Sequence, residues 1–194
     1  MEFLTPFIKD GKFNSLIVIG SPDPHGKYKA PASDGYSGIV LSMFLGQFTQ
    51  GMPRIVYKLD TQVTDEDKTG NLILIGGPKT NTLVYEINKK LPIYFDYSEE
   101  LLDWSMVSSL SKNVYREKQV GLIARIKNPF NDKSEILVFA GKGFRGTMAA
   151  VLGFVKYTKK IMEGNSFNNE VIARIVRGVD LDSDGLIDDV EFLE

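Results

Sequence analysis

The chain has 194 residues, a net charge of −2 from 23 basic and 25 acidic side chains, and no cysteine. That length buries a core in one domain, or one domain with a short appendage; the charge balance leaves no basic field for nucleic acid, and without cysteine there are no disulfides, zinc thiolates or cysteine nucleophile. No apolar run reaches the roughly 18 to 20 residues that span a bilayer, Met1-Glu2-Phe3 lacks the start of a signal peptide, and no Asn-x-Ser/Thr sequon occurs.

Ser15 to Gly20 is a short apolar run ending in glycine, which predicts a strand buried on both faces. The loop SPDPHGKYKAP follows. Ser33 then opens a predicted helix to about Gln50, with Ile39, Val40, Met43, Phe44 and Phe48 on its apolar face and Gly51 as the stop. Strands are expected over 54–59, 71–75 and 93–95, with a helix over about 80–90 after Gly76-Gly77-Pro78. Strand, glycine turn, helix, strand is the pattern of parallel βαβ units. Residues 98–111 show no clean period, and a helical turn is expected there.

Residues 119–127 and 134–140 read as two strands joined by the turn NPFND, an antiparallel hairpin. The sequence GKGFRG, Gly141 to Gly146, leads into a helix from Thr147 to about Glu163 with Met148, Val151, Leu152 and Val155 inward; residues 171–177 form a last strand before the acidic tail. The expected fold is α/β: a three-layer αβα sandwich with a mostly parallel, Rossmann-like sheet and an antiparallel hairpin near residues 119–140. Residues 1–178 make the domain, and 179–194 a calcium loop and terminal strand.

The tail DLDSDGLIDDVE carries five aspartates and one glutamate between Asp180 and Glu191. Like charges gather at a cost unless solvent screens them or a cation holds them. A calcium loop of the EF-hand type takes side chains at positions 1, 3 and 5, a backbone carbonyl at 7, a ligand at 9 and a carboxylate at 12, with glycine at 6. Counted from Asp180, those places fall on Asp180, Asp182, Asp184, Leu186, Asp188 and Glu191, with Gly185 at the turn. The spacing therefore predicts a Ca²⁺ site. A strand precedes it and the chain stops three residues beyond Glu191, so a single structural loop is expected rather than a paired sensor, with affinity of about 10⁻⁴ to 10⁻³ M.

Other chemistry is sparse. Pro78 removes a donor from the Gly76-Gly77 turn, and GKGFRG matches a phosphate-loop spacing only by letter. His25, beside Asp23, is the only histidine, and no GxSxG elbow accompanies it. Asp65-Glu66-Asp67 reads as a solvated run.

Four stretches carry a resemblance: FLTPFIKDGKFNSLIVIG, a helix opening near SDGYSGIV, NLILIGGPKTN, and GLIARIKNPFNDKSEILVFAGKGFRGTMAAVLGF. In this order they resemble archaeal surface-layer (S-layer) proteins. The resemblance implies an extracellular or cell-surface scaffold without catalysis, associating with itself or with other surface proteins and supported by calcium. The alternative is a small-molecule or nucleotide-binding α/β protein, an enzyme included, using the loops after Gly20, Gly77 and Gly141, where Asp23, His25, Lys79, Lys142 and Arg145 are the available groups.

Overall fold

The computed structural model describes residues 2–51 and 56–194. β1 (Ile8–Lys9) and β2 (Lys12–Phe13) form a small hairpin. After it come β3 (Leu16–Ile19), α1 (Gly35–Gly46), β4 (Tyr57–Leu59), the short α2 (Asp65–Lys68), β5 (Leu72–Ile75) and α3 (Thr82–Ile87). β6 (Ile93–Ser98), β7 (Asp103–Ser108) and β8 (Val114–Tyr115) make a three-stranded antiparallel sheet. β9 (Val120–Lys127), β10 (Glu135–Gly141), α4 (Phe144–Met162), β11 (Ala173–Val179) and β12 (Asp189–Phe192) complete the described elements.

The main sheet has seven strands in the order β12-β11-β9-β10-β5-β3-β4. β4, β3, β5 and β10 run parallel, while β10-β9, β9-β11 and β11-β12 pair antiparallel. The fold is thus α/β with a large mixed sheet, and the mostly parallel sheet expected from the sequence is corrected. The βαβ grammar holds only for the first half of the sheet. The hairpin then brings in an antiparallel half, because β11 returns from α4 onto the outer edge of β9 rather than beside β4.

Strand side chains alternate between two cores. Ile73, Ile75, Leu137, Phe139 and Ile123 face α1 and α4. Leu72, Leu74, Val138, Leu122 and Ile175 face α3 and the small sheet, where Phe95, Trp104 and Met106 close the other side. Burial on both faces is why these strands appear as unbroken apolar runs.

Several boundaries differ from expectation. The helical turn expected over 98–111 is strand β7, in which Trp104, Met106 and Ser108 alternate inward. α1 follows Asp34 rather than Ser33 and stops at Gly46. Its inward residues are Ser37, Gly38, Leu41 and Leu45, whereas Ile39 and Met43, expected on the buried face, point outward. The acidic run 65–67 is α2: Thr64 accepts from the Asp67 N–H, and Asp67 accepts from Thr64 N–H and Oγ1 and pairs with Lys58 at 2.6 Å. Residues 54 and 55 of the strand expected over 54–59 lie outside the described residues.

Candidate functional site

The acidic loop joins β11 to β12 as the tip of a hairpin at the edge of the main sheet. Its backbone is shaped by its own carboxylates. Asp180 Oδ2 accepts the Gly185 N–H at 2.8 Å, Asp188 Oδ2 accepts the Leu181 N–H at 2.7 Å, and Asp184 Oδ1 accepts the Leu186 N–H at 2.8 Å. Gly185 sits at φ +91°, a left-handed turn that a side chain would strain.

Of the six residues whose spacing suggested a site, the loop brings three together. Asp180, Asp182 and Asp188 each offer a carboxylate oxygen, all within 4.8 Å of one another. Among the described residues none of the three has an ion-pair partner. Asp184 lies outside this group and accepts the Leu186 N–H, as Asp180, Asp182 and Asp188 each accept one backbone N–H of the loop. Glu191 lies on β12 opposite Arg177 and pairs with its guanidinium at 3.2 Å. Asp189 accepts from Tyr157 Oη at 2.8 Å and pairs with Lys156 at 3.3 Å. The Tyr157 hydroxyl and Val190 N–H, with Lys156 beside them, hold Asp189 below the usual carboxylate range. The chain thus neutralises the acids on the strand and leaves those at the tip facing each other. Three carboxylates placed this way could hold a metal ion.

The crevice between the glycine loops is small, although a cavity of about 490 Å³ lies beside the loop after Gly141, lined by Glu117, Lys118, Gln119, Gly143, Phe144 and Arg145. The loops after Gly77 and Gly141 meet, but the space among Asp34, Gly77, Thr80, Gly141 and Thr147 is about 50 Å³. Ligand pockets measure about 300 to 1,000 Å³, so this space suits a water molecule and no nucleotide. The glycines are used for backbone contact. A Cβ at Gly77 would stand 2.2 Å from the Gly141 carbonyl oxygen, and one at Gly20 would stand 2.1 Å from that of Thr80. Asn81 plugs the crevice between β3 and β5, donating to the carbonyls of Val18 at 3.3 Å and Ile75 at 3.0 Å. Gly77→Ala is therefore expected to destabilise the protein by about 3 kcal/mol through overpacking, read as a fall in Tm of roughly 6 to 12 °C. A ligand-contacting glycine would leave Tm unchanged.

Of the basic groups near those loops, Lys142 and His25 are engaged, whereas Lys79 and Arg145 make no ion pair among the described residues. Lys142 Nζ pairs with Asp103 at 2.7 Å and donates to the Arg116 carbonyl, and Lys142 holds the Asp103 carboxyl below its ordinary range. His25 does not work with the Asp23 side chain. Its Nδ1 meets the Asp23 carbonyl at 2.6 Å, and its Nε2 meets Asp60 at 2.8 Å. Asp60, a buried residue that sequence reasoning missed, also accepts from Ser21 N–H, Thr82 N–H and Thr82 Oγ1 at 2.7 to 2.8 Å. It ties the loop after β3 to the start of α3.

A family model described as "S-layer like family, outer domain" matches residues 47–158. That is more than half of the chain, and the chain belongs to this family. The matched segment runs from the end of α1 through most of α4 and stops before the acidic loop. An uncharacterized protein of Methanocaldococcus jannaschii is 36% identical over 85 residues, which cover 44% of this chain and 16% of that protein. This chain accordingly spans a small part of that relative's length.

Proposed function

We propose, from membership of the S-layer like family, that this chain is a non-enzymatic structural module of the cell surface. In this reading it associates with copies of itself, and calcium organises its C-terminal hairpin. The family match over residues 47–158 carries the surface role. The meeting of Asp180, Asp182 and Asp188 supports the calcium part. No helix among the described residues is long and apolar enough to cross a membrane, so attachment to a surface would come through contacts rather than a helical span in this segment.

Calcium would relieve the repulsion of the three tip carboxylates, and its binding energy would stabilise the folded hairpin. The test is calorimetric titration of chelator-treated protein alongside thermal melting. One-site binding at about 10⁻⁴ to 10⁻³ M is expected. Calcium at 100 times Kd should add about 2.7 kcal/mol and raise Tm by roughly 5 to 10 °C. Asp180→Asn with Asp188→Asn keeps the acceptors for Gly185 and Leu181 but removes two charges, and should abolish both effects. Equal melting with calcium and with chelator would refute the calcium part.

A further inference from the structure

Among the described residues, α1, α4 and the N-terminal segment around Leu4, Phe7 and Ile8 cover one face of the seven-stranded sheet, leaving a groove beside β4. α1 carries no charged residue, and none occurs between Gly35 and Gly51. A helix that is apolar all round normally lies buried. Here Tyr36, Ile39 and Met43 are 72%, 61% and 71% exposed. On one side of α1, a groove of about 380 Å³ runs between Ile39 and Met43 of the helix and Tyr57 of β4, with Ile17, Ile19 and Gly38 at its lining. On the other side, a groove of about 320 Å³ joins Tyr36 to Phe144 and Met148 of α4 and to Leu186 of the acidic loop. Both grooves border α1.

We infer that this face is a docking surface for a second copy of the chain, packed about a two-fold axis with α1 against α1. The inference deepens the self-association in the proposed function and rests on that reading. Three observations select the occupant. First, Tyr36, Ile39, Met43, Tyr57, Phe144 and Leu186 are 54% to 72% exposed; large side chains of on the order of 200 Å² each then present roughly 700 to 800 Å², close to the about 800 Å² per partner of a standard interface. A monomer's largest apolar patch is ordinarily about 300 to 600 Å². Second, the face holds a ridge and a groove side by side: the ridge of Tyr36, Ile39 and Met43, and the groove beside β4. A two-fold contact puts each ridge in the other's groove, the self-complementarity an isologous interface requires. Third, α1 itself carries no charge, so two copies packed helix to helix meet no like charge there; Arg145 and the acidic loop around Leu186 supply the charges beside the second groove.

Sedimentation of the whole chain across a concentration series tests this, in calcium and again in chelator. The wild type is expected to form dimers. Ile39→Asp and Met43→Asp should each weaken association by about tenfold or more while leaving Tm nearly unchanged, since both side chains are exposed. Leu102→Asp, at the 77% exposed turn between β6 and β7, should associate like the wild type. Because the chain has no cysteine, Met43→Cys gives a second readout: a short bis-maleimide should yield a covalent dimer from Met43→Cys and none from Leu102→Cys. A wild type that stays monomeric in the hundreds of micromolar would overturn the docking surface. Association that is indifferent to both α1 substitutions would also overturn it, and would leave self-association standing through another face.

Discussion

Asp60→Ala is expected to lower stability by about 4 kcal/mol, a fall in Tm of roughly 8 to 16 °C for a chain of this size. The Asp60 carboxylate accepts hydrogen bonds from Ser21 N–H, Thr82 N–H and Thr82 Oγ1, and it pairs with His25 at 2.8 Å. The Thr82 N–H belongs to the first turn of α3, so the charge also meets the positive end of that helix. Removing the carboxylate leaves those donors without a partner and breaks the tie between the loop after β3 and α3. Asp60→Asn keeps part of the geometry and should cost less. A melting curve unchanged in Asp60→Ala would show that the network contributes nothing.

The same network carries a pH dependence. Both ring nitrogens of His25 face acceptors, the Asp23 carbonyl and the Asp60 carboxylate. Both must donate, so the doubly protonated ring fits the site. Burial pushes the His25 pKa down, but the Asp23 carbonyl and the Asp60 carboxylate outweigh it and hold it above 6.5. A raised folded pKa contributes stability that is complete below the unfolded value of 6.5 and is lost as pH rises through the folded value. The gap in Tm between wild type and His25→Ala should therefore be widest near pH 5 to 6 and shrink on the alkaline side. A gap that widens with rising pH would mean the neutral ring is the bound form.

The sequence shows local patterns and hides the partners. β5, β9 and β10 were legible because strands buried on both faces need unbroken apolar runs. β7 was not legible as a strand. Its inward residues are Trp104, Met106 and Ser108, and the buried serine donates to Glu194, 86 positions away, while accepting from the Leu110 and Ser111 N–H groups of the following turn. α1 was legible as a helix and misleading as to its face, because a helix apolar on every side has no stripe to read. The mixed sheet depends on where β11 lands, a choice made by α4 packing across the sheet and not by any local turn. In the acidic loop the spacing suggested six ligands, and the fold brings three of them, Asp180, Asp182 and Asp188, together. That Glu191 pairs with Arg177 is a cross-strand register fact, and register was not available. His25 was visible but its partner was not, since Asp60 lies 35 residues on.

Glu194→Ala is the second large effect, expected at about 3 kcal/mol, or roughly 6 to 12 °C in Tm. Glu194 is only 2% exposed. Its Oε1 accepts from Ser108 Oγ at 2.6 Å and Asn165 Nδ2 at 3.1 Å, and its Oε2 accepts from Ser111 Oγ at 2.6 Å and Tyr115 Oη at 2.8 Å. Those donors come from β7, the turn after it, β8 and the segment after α4, so one carboxylate joins the small sheet to the edge of the large one. Burial alone would raise the Glu194 pKa, but the hydroxyls of Ser108, Ser111 and Tyr115 and the Asn165 amide outweigh it and hold it below 4.5. The sign follows: a depressed folded pKa gives stability that is present above the unfolded value and lost as pH falls through the folded value. The wild type should therefore exceed Glu194→Ala by the full margin at pH 7, with the margin narrowing below pH 4.5. Glu194→Gln tests the charge alone. It keeps one acceptor oxygen and turns the other into a donor facing hydroxyls, which can rotate to accept, so its cost should fall between wild type and alanine. Were glutamine as damaging as alanine, the negative charge would dominate. Were both silent at pH 7, the two sheets would be held by apolar packing around Trp104 and Met106 without help from the carboxylate.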